Sequence, residues 1–171
     1  KKFNSEKNNK SNKIDIKKYE TITDEKKLDE WLSVIKNKKI ISVDTETNSL
    51  NPIDADLVGI SFCYSPNKAC YIPLKHSTQK CLEKSFVLNK VKKILEDKSI
   101  KKVGQNIKFD FLVLKQSGIL INPIEDTMLI SYTLDAGVNR HGLDTLSEIH
   151  LNHKTISYKD LVGKGKNKLN F

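Results

Sequence analysis

The sequence predicts an α/β fold built on a mixed sheet. Two observations carry that reading: five segments place apolar residues at helical spacing, and short apolar runs of strand character lie between them. Their order is the third. A helix comes first, then three meandering strands, then a helix, a strand and further helices, which is the layered arrangement of helices on a sheet.

The first helix is expected over residues 24–36, where Leu28, Trp31, Leu32 and Ile35 fall on one face. Thr23 or Asp24 suits its N-cap. Ile40, Ile41 and Val43 then form a buried strand, which Asn51-Pro52 follows with a chain break. Residues 57–65 (LVGISFCYS) make a second strand and 69–74 (ACYIPL) a third, joined by the turn Ser65-Pro66-Asn67-Lys68. Phe86, Val87, Val91, Ile94 and Leu95 mark an amphipathic helix over 85–96. A short strand, KKVG (101–104), leads into a helix over 107–118 that Gly118 ends. Two more helices are expected at 126–135 and 143–151, and the remaining tail is irregular and basic. Residues 1–13 (KKFNSEKNNKSNK) read as a flexible linker ahead of one domain spanning 14–171.

Composition narrows the class. The 171 residues suit a single domain with a sizeable core. No apolar run approaches the ~20 residues that span a bilayer, so no membrane association is expected. Cys63, Cys70 and Cys81 are odd in number and form no CxxC pair. Reduced thiols and a cytoplasmic location are therefore expected, rather than a disulfide framework or a zinc site. The first residue is Lys1 rather than Met, so the sequence reads as a piece of a longer chain. The net charge of +9 is uneven: residues 1–18 carry +5 and residues 154–168 carry +4. Basic segments of this kind fit a phosphate polymer as partner. A solvated lysine-rich surface fits them equally, since Arg140 is the only arginine.

Two motifs carry chemistry. Asp44-Thr45-Glu46 ends an apolar strand, and strand alternation puts both carboxylates on one face. Like charges there repel and resist desolvation, a conflict that a divalent cation removes. Taken alone, the triplet also fits a solvated acidic turn. The second motif is Gly104-Gln105-Asn106-Ile107-Lys108-Phe109-Asp110. It puts Asp110 in the first turn of a helix, where the dipole favours an anion. Asn106 fits the N-cap of that helix.

Together, VDTETNSL (43–50), LVGISFCY (57–64), VGQNIKFD (103–110), EDTMLISYTLD (125–135) and HKTISYKDLVGKGKN (153–167) resemble the DEDD superfamily. Within it they are most similar to the 3′→5′ exonuclease, or proofreading, domains of the bacterial DNA polymerase I branch. The HKTI…GKGKN stretch sets that branch apart from ribonuclease D-like relatives. The resemblance implies a ribonuclease H-like, five-stranded mixed sheet flanked by helices. It implies that Asp44 bridges two divalent cations (Mg2+ or Mn2+, with Zn2+ an option at one site). Glu46 would bind one of them, and Asp110 would hold the other largely through water. Such a pair activates a water and stabilises the departing 3′-oxygen, releasing 5′-mononucleotides. Leu50 would wedge beside the terminal base and Tyr158 would stack on the DNA end. Gln105 and Asn106 would lie near the terminal nucleotides, and Lys164, Lys166 and Lys168 near backbone phosphates. The implied partners are a single-stranded DNA 3′ end and the polymerase domain of the same parent chain, used in replication and repair.

The family pattern also includes a late YxxxD motif, whose tyrosine orients the attacking water. Tyr132 is followed by Asp135, one residue too close; Tyr158 has Val162 at the required offset; and His141, His150 and His153 give no HxxxD. The expectation is a sequence cut before that motif, weak or inactive by itself. A non-catalytic DNA-binding or spacer module, and an exoribonuclease of the same superfamily, are the other readings that fit.

Overall fold

The computed structural model describes residues 14–156 and Asp160. The expected linker (1–13), Tyr158 and Lys164, Lys166 and Lys168 lie outside the described residues.

Six strands form one mixed sheet: β1 (Glu20–Thr21), β2 (Ile40–Thr47), β3 (Leu57–Ser65), β4 (Lys68–Pro73), β5 (Lys101–Gly104) and β6 (Ile124–Asp126). Their spatial order is β1-β4-β3-β2-β5-β6. The meander β2-β3-β4 is antiparallel, whereas β5 joins β2, β6 joins β5 and β1 joins β4 in parallel. Strands β2 to β5 coincide with the four read from the sequence, and β6 with the two-residue edge β1 brings the sheet to six where the resemblance implied five. β6 is three residues long, too short to show a strand period, so the sequence reading ran directly into the helix behind it.

Among the described residues five α-helices with defined bounds accompany the sheet: α1 (Glu25–Lys36), α2 (Lys84–Leu95), α3 (Lys108–Gln116), α4 (Thr127–Asp135) and α5 (Leu143–Leu151). Asp24 caps α1 by accepting from the Lys27 N–H at 2.9 Å. Glu83 caps α2 by accepting from the N–H groups of Ser85 and Phe86. The N-cap of α3 is Ile107, not Asn106, and no side chain caps it. Asn106 instead sits at φ +56, the left-handed turn that Asn tolerates better than most residues.

The meander alternates cleanly. Ile41, Val43, Ile60, Phe62, Cys70 and Ile72 are buried on one face. They join one core cluster with Leu28, Trp31 and Ile35 of α1 and Val87, Val91 and Leu95 of α2. Ser42, Asp44, Glu46, Ser61 and Tyr71 occupy the other face and keep partial or full access to solvent. One-sided burial of this kind is what an antiparallel ribbon tolerates. α4 buries none of its residues, and Leu129, Ile130, Tyr132 and Leu134 are all exposed along it. None of the described helices is long and apolar enough to cross a membrane.

β5 is pinned by a buried lysine. Lys102 is 0% exposed, and its Nζ donates to the carbonyls of Asp97 (2.8 Å), Ile100 (2.7 Å) and Asn122 (2.6 Å). Burial pushes its pKa down to about 8, although Asp97 opposes the shift. The ammonium thus ties the α2–β5 turn to the segment entering β6. Lys102→Met would keep the stem and strand three buried acceptors. Urea unfolding should show a loss of about 2–4 kcal/mol with an unchanged m-value.

Candidate active site

The parallel strand β5 accompanies β2 only from Ile40 to Ser42. Beyond that point the β5-side main-chain groups of β2 lack a strand partner. A buried N–H must find an acceptor elsewhere, and Asp110 provides one. Its Oδ1 accepts from the Thr45 N–H at 2.8 Å and from the Thr45 hydroxyl at 2.6 Å. Two motifs 65 positions apart are thereby joined. Asp110 is 3% exposed and lies in the first turn of α3, where the helix dipole favours its charge.

Asp44 and Glu46 flank Thr45 and project from the open face of the sheet. Burial raises all three carboxylates. Glu46 rises to about 7, through desolvation first and then the charges of Asp44 and Asp110. Asp110 rises to about 6 through desolvation, which the Thr45 hydroxyl opposes and the charge of Asp44 reinforces. Asp44 is also raised: solvent reaches it, yet the surrounding protein costs its charge more than the Thr45 main chain returns. Three acids therefore share one partly dry field, and among the described residues no ion pair offsets them.

Among the described residues, no group of three or more His, Cys, Asp or Glu side chains already stands close enough to hold a metal. The donor set is nonetheless oxygen only, which suits a hard cation such as Mg2+ or Mn2+. Both hydrogen bonds from Thr45 fall on the same oxygen of Asp110, Oδ1.

The turn between β5 and α3 explains the letters GQN. A Cβ at Gly104 would meet Ile107 Cγ1 at 2.9 Å, so only glycine lets the turn close this tightly. Gln105 is held at both ends of its amide. Its Nε2 donates to the His141 carbonyl at 2.7 Å, and its Oε1 accepts from the Thr127 hydroxyl at 2.6 Å. The Asn106 N–H donates to Asp126 Oδ1, which also accepts from Met128 N–H and so caps α4. The Gln105 amide is thus committed inside the protein, whereas the Asn106 side chain is exposed. Leu50 is 95% exposed in the loop after β2.

Thr45, Asp126, Thr127 and His141 escaped the sequence reading. Thr45 is the unassigned middle letter of DxE, and its role depends on where β5 stops. Asp126 ends β6, which has no periodic signal of its own.

The model of a 3′–5′ exonuclease family matches residues 19–171. The chain belongs to that family, in its DNA polymerase I branch. It is 39% identical over 178 residues to DNA polymerase I of Rhizobium leguminosarum, covering 92% of this chain and 18% of that protein. It is 38% identical over 159 residues to the DNA polymerase I of Pseudomonas aeruginosa, covering 90% and 17%. The chain thus spans less than a fifth of the length of these curated relatives. Two solved structures share the exonuclease fold. Escherichia coli RNase D has a TM-score of 0.66 at 20% identity, covering 82% of this chain and 35% of that one. Brucella melitensis NrnC with bound Mg2+ has a TM-score of 0.63 at 23% identity, covering 86% and 68%. At those identities the likeness is one of ribonuclease H-like fold.

The raised carboxylates fix the sign of a pH effect. The folded chain holds the protons of Glu46 and Asp110 more tightly than the unfolded chain. Their contribution is therefore complete below the unfolded values of about 4, and is lost as pH rises towards 7. Glu83, Glu96 and Asp97 are shifted the other way, so their gain is complete by about pH 5. Metal-free protein should lose stability between pH 5 and 7, on the order of 2 kcal/mol. Urea midpoints measured across that interval should flatten in Asp110→Asn and with added Mn2+.

Proposed function

We propose that this chain is a metal-dependent 3′→5′ exonuclease domain. On this reading it removes 5′-mononucleotides from single-stranded DNA 3′ ends, beside a polymerase domain in its parent protein. The observation that carries the reading is the junction of the DxE strand and the GQN helix through Asp110 and Thr45. It draws the buried Asp110 of α3 into the field of Asp44 and Glu46, which project from the open face of the sheet. A cation bound there would relieve their mutual repulsion.

Asp44, Glu46 and Asp110 would hold the divalent ions, which when bound supply Lewis-acid activation of a water and charge neutralisation at the scissile phosphate. Thr45 keeps Asp110 oriented. The GQN turn, fastened by Thr127, Asp126 and the His141 carbonyl, sets the angle at which α3 presents Asp110. Leu50, exposed in the loop that follows Glu46 and the end of β2, suits contact with a terminal base. Tyr158 is proposed to stack on the DNA end. No YxxxD occurs in the 171 residues, so the sequence as it stands supplies three of the four family carboxylates. Weak activity is expected from it alone. A DNA substrate is favoured over RNA because the DNA polymerase I relatives share far more of this sequence than RNase D does.

The test is a 5′-labelled single-stranded DNA incubated with Mn2+ or Mg2+, beside EDTA and a matched RNA. A slow descending ladder is expected, abolished by EDTA and reduced by more than about 100-fold in Asp44→Ala. A ladder that survives EDTA would contradict the metal mechanism, and faster decay of the RNA would move the substrate assignment. Leu50→Ala should raise KM about 5-fold and leave the stability unchanged, because the side chain is 95% exposed.

A further inference from the structure

The face that carries Asp44 and Glu46 also holds Ser42, Ser61 and Tyr71, and of these Tyr71 has the longest reach. In the register of the meander, Asp44 lies opposite Ser61, and Ser61 opposite Tyr71. Glu46 lies opposite Gly59. Residues in register share a face, so Tyr71 projects on the same side as the two acids.

Its ring does not stand upright from β4. It leans diagonally over β3 onto Gly59. A Cβ built on Gly59 would fall 2.2 Å from the Tyr71 hydroxyl oxygen and 2.4 Å from Cε2. A Cβ there would displace the ring, so glycine at this position lets it lie across β3. The lean carries the phenol from the third strand of the meander to the residue paired with Glu46. Burial raises the phenol pKa, and the charge of Glu46 raises it further.

Among the described residues the phenol has no hydrogen-bond partner, although it lies beside a carboxylate cluster made only of acceptors. An unspent O–H donor on that acidic face is suited to an anion brought there. The geometry points to Tyr71 as a further substrate-contacting residue, its hydroxyl donating to a non-bridging phosphate oxygen of the nucleotide bound beside Glu46, with Gly59 as the slot that holds the ring in reach. The inference rests on the exonuclease reading above, since the nucleotide is the one that Asp44 and Glu46 recruit.

The experiment pairs equilibrium binding with single-turnover decay. Thymidine 5′-monophosphate binding is measured by calorimetry in Mn2+ for the whole chain, and decay of single-stranded DNA is followed alongside. The variants are Tyr71→Phe, Gly59→Ala, the double variant Gly59→Ala/Tyr71→Phe, and Asp44→Ala. Tyr71→Phe keeps the ring and should leave the melting temperature in place. It should weaken nucleotide binding and slow the single-turnover rate about 10-fold each, the loss expected for one hydrogen bond to a charged group. Gly59→Ala should lift the ring and cost as much. Its effect should vanish in the Tyr71→Phe background, because the displaced ring no longer carries the donor.

Equal binding by wild type and Tyr71→Phe, with Asp44→Ala still defective, would overturn the role of Tyr71 and leave the exonuclease reading standing. Wild type and Asp44→Ala that bind and decay DNA alike would overturn both. A Gly59→Ala penalty of the same size in the Tyr71→Phe background would show that Gly59 matters for folding, and would remove the slot from the assignment.

Discussion

The pair of hydrogen bonds from Thr45 to one oxygen of Asp110 is the interaction on which the site depends. It exists because β5 stops short of the end of β2, leaving a main-chain N–H that no strand can satisfy. A water could have filled that role. An aspartate fills it instead, and the choice draws a buried negative charge to within interaction range of Asp44 and Glu46. The bond that completes the backbone inventory of β2 is thus the same bond that assembles the acidic cluster. Removing the Thr45 hydroxyl alone would leave the main-chain bond, so the position tolerates loss of geometry before loss of fold.

Much of this was legible in the sequence, and the reasons differ by element. The strand alternation around Asp44 and Glu46 was readable because a buried face opposite an open one imposes a strict period of two. The helices α1 and α2 were readable because each packs a full apolar stripe on the sheet. The same rule misled at α4. Its apolar spacing resembles that of a core helix, yet it buries nothing among the described residues, because periodicity reports a face and not whether anything covers it. β6 and β1 were silent because two or three residues carry no period.

The site was legible as two motifs but not as one object. DxE and GQNxxxD could be placed at a strand end and a helix start from spacing alone. The reason for their middle letters could not. Thr45 matters through the register of β5, and Gln105 through contacts with Thr127 and His141 that lie 22 and 36 positions away. Asn106 looked like a cap and is instead the left-handed corner that aims α3. Long-range hydrogen bonds of this kind leave no local trace, because each letter is compatible with several roles until the partner strand is in place.

A domain built this way holds its acids against their own repulsion. Every unit by which Glu46 and Asp110 resist ionisation is free energy that the folded chain forgoes near neutral pH. The fold tolerates that because the opposite face of the same strand is anchored by a continuous apolar core, from Ile41 and Val43 through Ile60 and Phe62 to α1 and α2. The division of labour follows from the pleat itself. Alternate residues of one strand bury the hydrophobic surface that stabilises it and expose the charges that destabilise it, so neither can slip in register without ruining the other. Gly59 belongs to the same logic: a position that contributes nothing to the core is the one place where the charged face could accommodate a ring lying across it.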